Sequence, residues 1–176
     1  MKPFRFSPIK DKAELFKAIE YIHFECHRLC KQNLGYLLPV AGNIGVFCHY
    51  GDEFEQLIKI RKELTDLSDN WNEKYFRLYK SIVIPAKDDI PETTYTYLYI
   101  RKPDPNNSHV GDVDFYLEPD KYKELKESLL SGKIIKGVKI FERSDLDLVR
   151  LHDPNSDVSA FVGKKTMLQN VKEKHI

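Results

Sequence analysis

Polar residues able to do chemistry recur at alternate positions along the β-rich stretches of this 176-residue chain. Successive side chains of a strand point to opposite faces, so alternation decides which groups can meet. Asn43, Phe47 and His49 share a face of the run 43–50. Tyr95, Tyr97, Tyr99 and Arg101 share a face of 93–101, and Arg77 and Tyr79 share one of 74–84. Asp112, Asp114 and Tyr116 do the same in 110–118. The opposite positions are apolar: Ile44, Val46 and Cys48; Leu98 and Ile100; Val113, Phe115 and Leu117. A face rich in Tyr, Arg and Asp suits a small, oxygen-rich anion, because a guanidinium grips a carboxylate or phosphate through two parallel hydrogen bonds. A buried Asp or His can be tuned to accept a proton from such a ligand. On this reading Arg77 and Arg101 bind the anion and Tyr97 and Tyr99 orient it. His49 or Asp112 moves protons, and Asn43, Tyr79, Asp114 and Tyr116 complete the lining. The same alternation fits a sheet face that simply lies in water with cross-strand Tyr and Arg–Asp pairs.

Two smaller constellations compete for attention. His23, Cys26, His27 and Cys30 follow helical spacing on one surface, as zinc ligands could. Cys26 falls on the apolar stripe, however, where a free thiol is a small hydrophobe. The pairs Asp112/Asp114 and Asp145/Asp147 each place two carboxylates on one strand face, an arrangement that can hold a metal. There is no Gly-rich phosphate loop, nucleophile elbow or Cys-x-x-Cys pair.

The elements needed to position these groups repeat. Residues 42–103 read strand, helix, strand, strand, and 109–162 read strand, helix and three short strands. The two units open alike, with Asn43-Ile-Gly-Val-Phe-Cys-His-Tyr50 against Val110-Gly-Asp-Val-Asp-Phe-Tyr-Leu-Glu118. The spacing predicts helices over 11–33, 52–67 and 120–131, and strands near 138–143, 146–152 and 157–162. In the first helix Leu15, Ile19, Ile22, Cys26 and Leu29 form a single apolar stripe. Asp11 or Ser7 suits its amino-terminal cap, and Gly35 its stop. The acidic start and basic end of the second helix, Asp52, Glu53 and Glu55 against Lys59, Arg61 and Lys62, complement the helix dipole. Residues 68–73 read as a turn-rich loop, 103–108 as a Pro-containing linker and 152–156 as a tight turn. The expected fold is α+β: two tandem βαββ(β) units forming a cupped mixed sheet, with an added amino-terminal helix. One pseudo-symmetric domain over 1–163 would then be followed by a flexible basic tail, 164–176.

Composition bounds the function classes. The chain has 28 basic and 27 acidic residues, which gives no electrostatic drive toward nucleic acid or anionic membranes. No apolar run approaches the length of a membrane span. The opening Met-Lys-Pro-Phe-Arg-Phe has no signal-peptide core, and three irregularly spaced cysteines argue against a disulfide framework, so a reducing cytoplasm is expected. Ten tyrosines suggest a polar-lined cavity beside the core.

The paired units, the Pro-containing linker and the Asp153-Pro-Asn155 turn resemble the vicinal oxygen chelate superfamily, which includes glyoxalase I, extradiol dioxygenases and fosfomycin-resistance proteins. The added helix and the segments Ile44-Gly-Val-Phe-Cys-His49, Phe76-Arg-Leu-Tyr79 and Tyr97-Leu-Tyr-Ile-Arg-Lys-Pro103 are similar to its bacterial YecM-like branch. The resemblance covers roughly 10–162 and implies a divalent ion held in the cup by His and Glu from the first and last strand of each unit. The ion would bind two adjacent oxygens of the substrate. Carried over by position, the ligands fall on Asn43, Arg101, His109 or Asp112, and Asp157 or Ser159. Arginine cannot be a ligand and a neutral amide is a poor one, so that set is incomplete. A shifted register would offer His49, His109, Asp112 and Asp157 instead. No cofactor is otherwise implied. The resemblance thus implies an isomerase- or lyase-like protein acting on a small oxygen-rich anion. The alternative is a non-catalytic interaction or regulatory domain that keeps the fold without the metal. A homodimer is compatible with paired units of this kind.

Overall fold

The computed structural model describes residues 4–66, 74–143 and 146–174. The expected loop 68–73 and Asp145 lie outside them. The fold is α+β, with an eight-stranded mixed sheet and a long amino-terminal helix.

Helix α1 spans Lys12–Leu34. Asp11 caps it, its carboxylate accepting from the Glu14 amide at 2.8 Å, and Gly35 ends it in the left-handed region at φ 83°. The apolar stripe Leu15, Ile19, Ile22, Cys26 and Leu29 is completely buried. Strand β1 (Val40–Phe47) leads to α2 (Gly51–Leu64), β2 (Thr65–Asp66), β3 (Phe76–Ile84) and β4 (Thr93–Arg101). The second half repeats this with β5 (Gly111–Tyr116), α3 (Pro119–Leu130), β6 (Val138–Arg143), β7 (Leu146–Leu151) and β8 (Val158–Gly163). The turn expected before β8 is present, with the Ser156 amide donating to the Asp153 carbonyl at 3.0 Å.

Strand order is β2-β3-β4-β1-β5-β8-β7-β6. In each half the first strand runs parallel to the last, and the two strands between them in sequence continue outward in antiparallel ladders. The halves meet where β1 and β5 pair antiparallel, with Ile44 opposite Val113 and Gly45 opposite Asp112. Ile44, Val46, Leu98, Val113 and Phe115 bury one sheet face in the main core with α1, as their alternation requires.

Three features depart from the sequence reading. Alternation breaks in β4: Tyr95 belongs to the core beneath α1, and its hydroxyl lies 2.8 Å from Nδ1 of His23. Tyr97 faces the opposite side, so the two do not share a face. The cause is a pair of irregularities, one in the β3–β4 register between Arg77 and Ile82 and one in β1 between Val40 and Ile44, where Gly42 adopts φ 110°. Second, α2 ends at Leu64 and Thr65–Asp66 turn into a short edge strand. Third, where a flexible tail was expected, α4 (Met167–Lys174) lies on the polar face, with Met167 and Val171 buried against Tyr97.

Candidate functional site

The face opposite the main core is built in rows across the central strands. Tyr97, Asn43 and Asp114 stand side by side on β4, β1 and β5; Tyr99, Gly45, Asp112 and Ser159 form the next row, ending on β8. Arg101 and Phe47 close the far end, with the guanidinium 4.8 Å from the Phe47 ring centre. Two carboxylates therefore sit in the middle of the sheet, one residue apart in the pleat.

Both are pushed up in pKa. Asp112 rises to about 7, first because burial penalises its charge and second because Asp114 repels it; Lys74 and Arg101 oppose the rise. Asp114 also rises through burial, offset by Asn43, whose Nδ2 donates to its Oδ2 at 2.9 Å. Burial and mutual repulsion therefore disfavour the doubly charged pair, and the two carboxyls titrate together. Gly45 makes the close approach possible: a Cβ there would lie 2.0 Å from Asp112 Oδ1 and 3.3 Å from the Tyr99 ring. Among the described residues, Asp112 Oδ1 and Asn43 Oδ1 are buried without a hydrogen-bond partner. Such groups are rare in folded proteins and mark places where a further partner belongs. Tyr75 stacks toward Tyr99 at 5.5 Å, and its phenol is held well above the usual range by burial and by both carboxylates. Lys74 lies 4.9 Å from the Tyr99 ring centre.

The other sequence candidates are placed elsewhere. His49 has turned away from the cup into the amino-terminal segment: its Nδ1 is 2.7 Å from Ser7 Oγ, and its ring stacks on Phe4 at 3.6 Å. Burial lowers its pKa. Phe47 and His49 part company because the strand ends at Phe47 and the Glu53 carboxylate, accepting from the His49 and Ile9 amides, bends the chain. Glu53 is thus a buried tie and not only a dipole partner. His109 reaches Ser159 Oγ through Nδ1 at 2.6 Å. Asp157 is occupied at both oxygens, by Arg5 at 2.8 Å and by the Tyr21 hydroxyl at 2.6 Å. Tyr79 is 70% exposed on β3, and Arg77, opposite Tyr97, is exposed as well. The Tyr116 hydroxyl donates to Glu118 at 3.1 Å.

These placements do not fit a divalent ion at His49, His109, Asp112 and Asp157. Asp157 already accepts at both oxygens, from Arg5 and from Tyr21. No group of three or more His, Cys, Asp or Glu is arranged to hold a metal among the described residues. The helical set is likewise committed: His23 pairs with Tyr95, and Nδ1 of His27 lies 2.9 Å from the His23 carbonyl. Cys26 and Cys30 donate to the carbonyls of Ser159 and Tyr36. Asp147 of the second aspartate pair accepts from Tyr122 at 3.0 Å and from Lys164 at 2.8 Å.

Sequence reasoning missed Lys74, Tyr75 and Arg61. Tyr75 falls in the run 74–84 in phase with Arg77 and Tyr79, a signal that was available, whereas Lys74 is out of phase with them; Arg61 read only as part of the basic end of the second helix, yet it is buried. Its position one residue past Ile60, on the helix side that turns to the sheet, was the available clue.

No protein-family model matches this chain, and no curated protein matches it. Among solved structures it is similar to two variants of the Streptomyces coelicolor methylmalonyl-CoA epimerase in complex with 2-nitronate-propionyl-CoA. The first is 12% identical with a TM-score of 0.31, covering 72% of this chain and 98% of that one. The second is 13% identical with a TM-score of 0.30, over the same shares. A likeness at that level carries no functional weight. No helix among the described residues is long and apolar enough to cross a membrane.

Proposed function

We propose that the cupped face binds a compact, oxygen-rich anion and that the Asp112–Asp114 pair moves a proton on it, an isomerase- or lyase-like role without a metal. The observation that supports this most is the buried Asp112 carboxyl, raised to about 7, with an unpartnered Oδ1. A carboxyl poised near neutrality can both take and return a proton within one cycle. Arg101 at the rim supplies positive charge to the anion, and the Tyr99 ring covers the pair. The reading also places the chain in the vicinal oxygen chelate superfamily and its YecM-like branch. The matching strand order of the two halves supports that placement.

The test is proton exchange at carbon. Malonate and 2-oxobutyrate in deuterium oxide at neutral pH are followed by proton NMR with the wild type and with Asp112→Asn. The wild type is expected to accelerate loss of the C–H signal, and the variant to lose about 100-fold or more of that rate. Equal exchange in both proteins, or none above buffer in either, removes the catalytic reading.

A further inference from the structure

At the carboxyl end of β4 the sheet and α2 leave an open groove of about 820 Å³, within the size range of small-molecule sites. Its apolar wall includes Phe54, Ile58, Phe76 and Pro103. Its polar wall carries Arg61, Lys74, Arg101 and Lys102 against one acid, Asp104, which is tied to Arg101 Nη2 at 2.9 Å.

Arg61 is the unusual member. It is only 7% exposed, and its guanidinium lies 3.3 Å from the Phe76 ring centre. Among the described residues its Nε has no hydrogen-bond partner and no carboxylate pairs with the side chain. Burial alone accounts for its lowered pKa, with no acid opposing it. A buried cation is ordinarily paired, because desolvating it costs far more than stacking on an aromatic ring returns. A guanidinium held flat on a ring in the wall of an open groove, with a buried Nε–H that no described residue meets, is a place for an anion.

We infer that this groove binds an amphipathic oxyanion, a planar or branched apolar body bearing a phosphate or carboxylate that pairs with Arg61. The ring walls hold the body, and the rim charge of Lys102 adds a second attraction. The groove shares Lys74, Tyr99 and Arg101 with the cup but otherwise rests on Arg61, independently of proton transfer at Asp112.

The experiment is isothermal titration of the full chain with phenyl phosphate, inorganic phosphate and benzyl alcohol. Phenyl phosphate is expected to bind more tightly than either simpler probe, since only it uses both walls. Arg61→Met keeps the stack on Phe76 and removes the charge; it should weaken phenyl phosphate by about tenfold to a hundredfold. Lys102→Glu leaves the core untouched and should weaken it several-fold, so the inference stays testable should the Met variant fold poorly. Asp112→Asn should bind phenyl phosphate as the wild type does, which separates this site from the proton-transfer reading. Unchanged affinity in both Arg61→Met and Lys102→Glu overturns the inference, as does binding lost only in Asp112→Asn. Inorganic phosphate binding as tightly as phenyl phosphate overturns the amphipathic ligand class.

Discussion

Asp112 makes folding itself sensitive to pH. In an unfolded chain its carboxyl titrates near the ordinary aspartate value of about 4, whereas in the fold it holds its proton to about 7. The folded state therefore binds the proton more tightly. That contribution is fully present below the unfolded value and is lost as pH rises through the folded one. The wild type should lose on the order of 3 kcal/mol between these limits relative to Asp112→Asn, which has no proton to lose. Denaturant melts of both proteins from pH 5 to 8 check this: the two curves should diverge as pH rises, with the variant the more stable at the alkaline end. Parallel curves would mean that Asp112 is ionised throughout. The neighbouring Asn43 has a different task. Its Nδ2 donates to Asp114 Oδ2 at 2.9 Å, so Asn43→Leu should remove a hydrogen bond to a carboxylate, costing about 1–3 kcal/mol. A thermal melt at pH 7 reads the loss. This part of the site was open to sequence reasoning, since Asn43, Tyr97, Tyr99, Asp112 and Asp114 all follow simple alternation. His49 was not, because its orientation depends on the buried Glu53 carboxylate that gathers the amides of Ile9 and His49. Arg61 was hidden for a similar reason: composition shows a charge, but only packing shows whether that charge has a partner.

Among the elements, the junction of α1 with β1 and β5 sets the tightest tolerance. A Cβ on Gly111 would lie 2.3 Å from the Gly45 carbonyl oxygen and 2.4 Å from Ile22 Cδ1. The first obstacle is backbone in the central ladder and cannot swing aside. Gly111→Ala is expected to cost about 1–3 kcal/mol, the range for overpacking. Gly51→Ala at the start of α2, where nothing lies within 4 Å, should change stability little. Paired thermal melts distinguish the two. Periodicity revealed α1 accurately because one apolar stripe runs its whole length and both ends carry strong caps. It failed for α4, a helix of eight residues that buries Met167 and Val171 and whose basic composition reads as solvent-exposed. It failed for Tyr95 because a period of two has no term for a bulge; the paired irregularities in the β3–β4 and β1–β5 registers put that ring in the core and not in the cup.

Across the whole molecule, one sheet carries both halves. Among the described residues the β1–β5 ladder is the only pairing by which strands of one half meet those of the other, and α1 packs across it, against β1, β5 and β8. The halves repeat each other in topology, yet among the described residues most buried apolar side chains of both belong to one main cluster, with a small second cluster of Tyr97, Met167 and Val171 on the other face. Shared burial of this kind couples their unfolding, since opening either half exposes the apolar face of the other. Native-state hydrogen exchange should therefore find the amides of Ile44, Val46 and Val113 in the slowest class, released only by global unfolding, and those of both halves converging on one free energy. The two-residue edge strand β2 and the short helix α4 should open locally at much lower cost. A core of β5 and β8 that exchanged at a distinctly lower free energy than β1 and β4 would show the reverse, two units that fold apart and dock. In that case the buried carboxylates at the seam would depend on docking, and their raised pKa would vanish with the first unit to open.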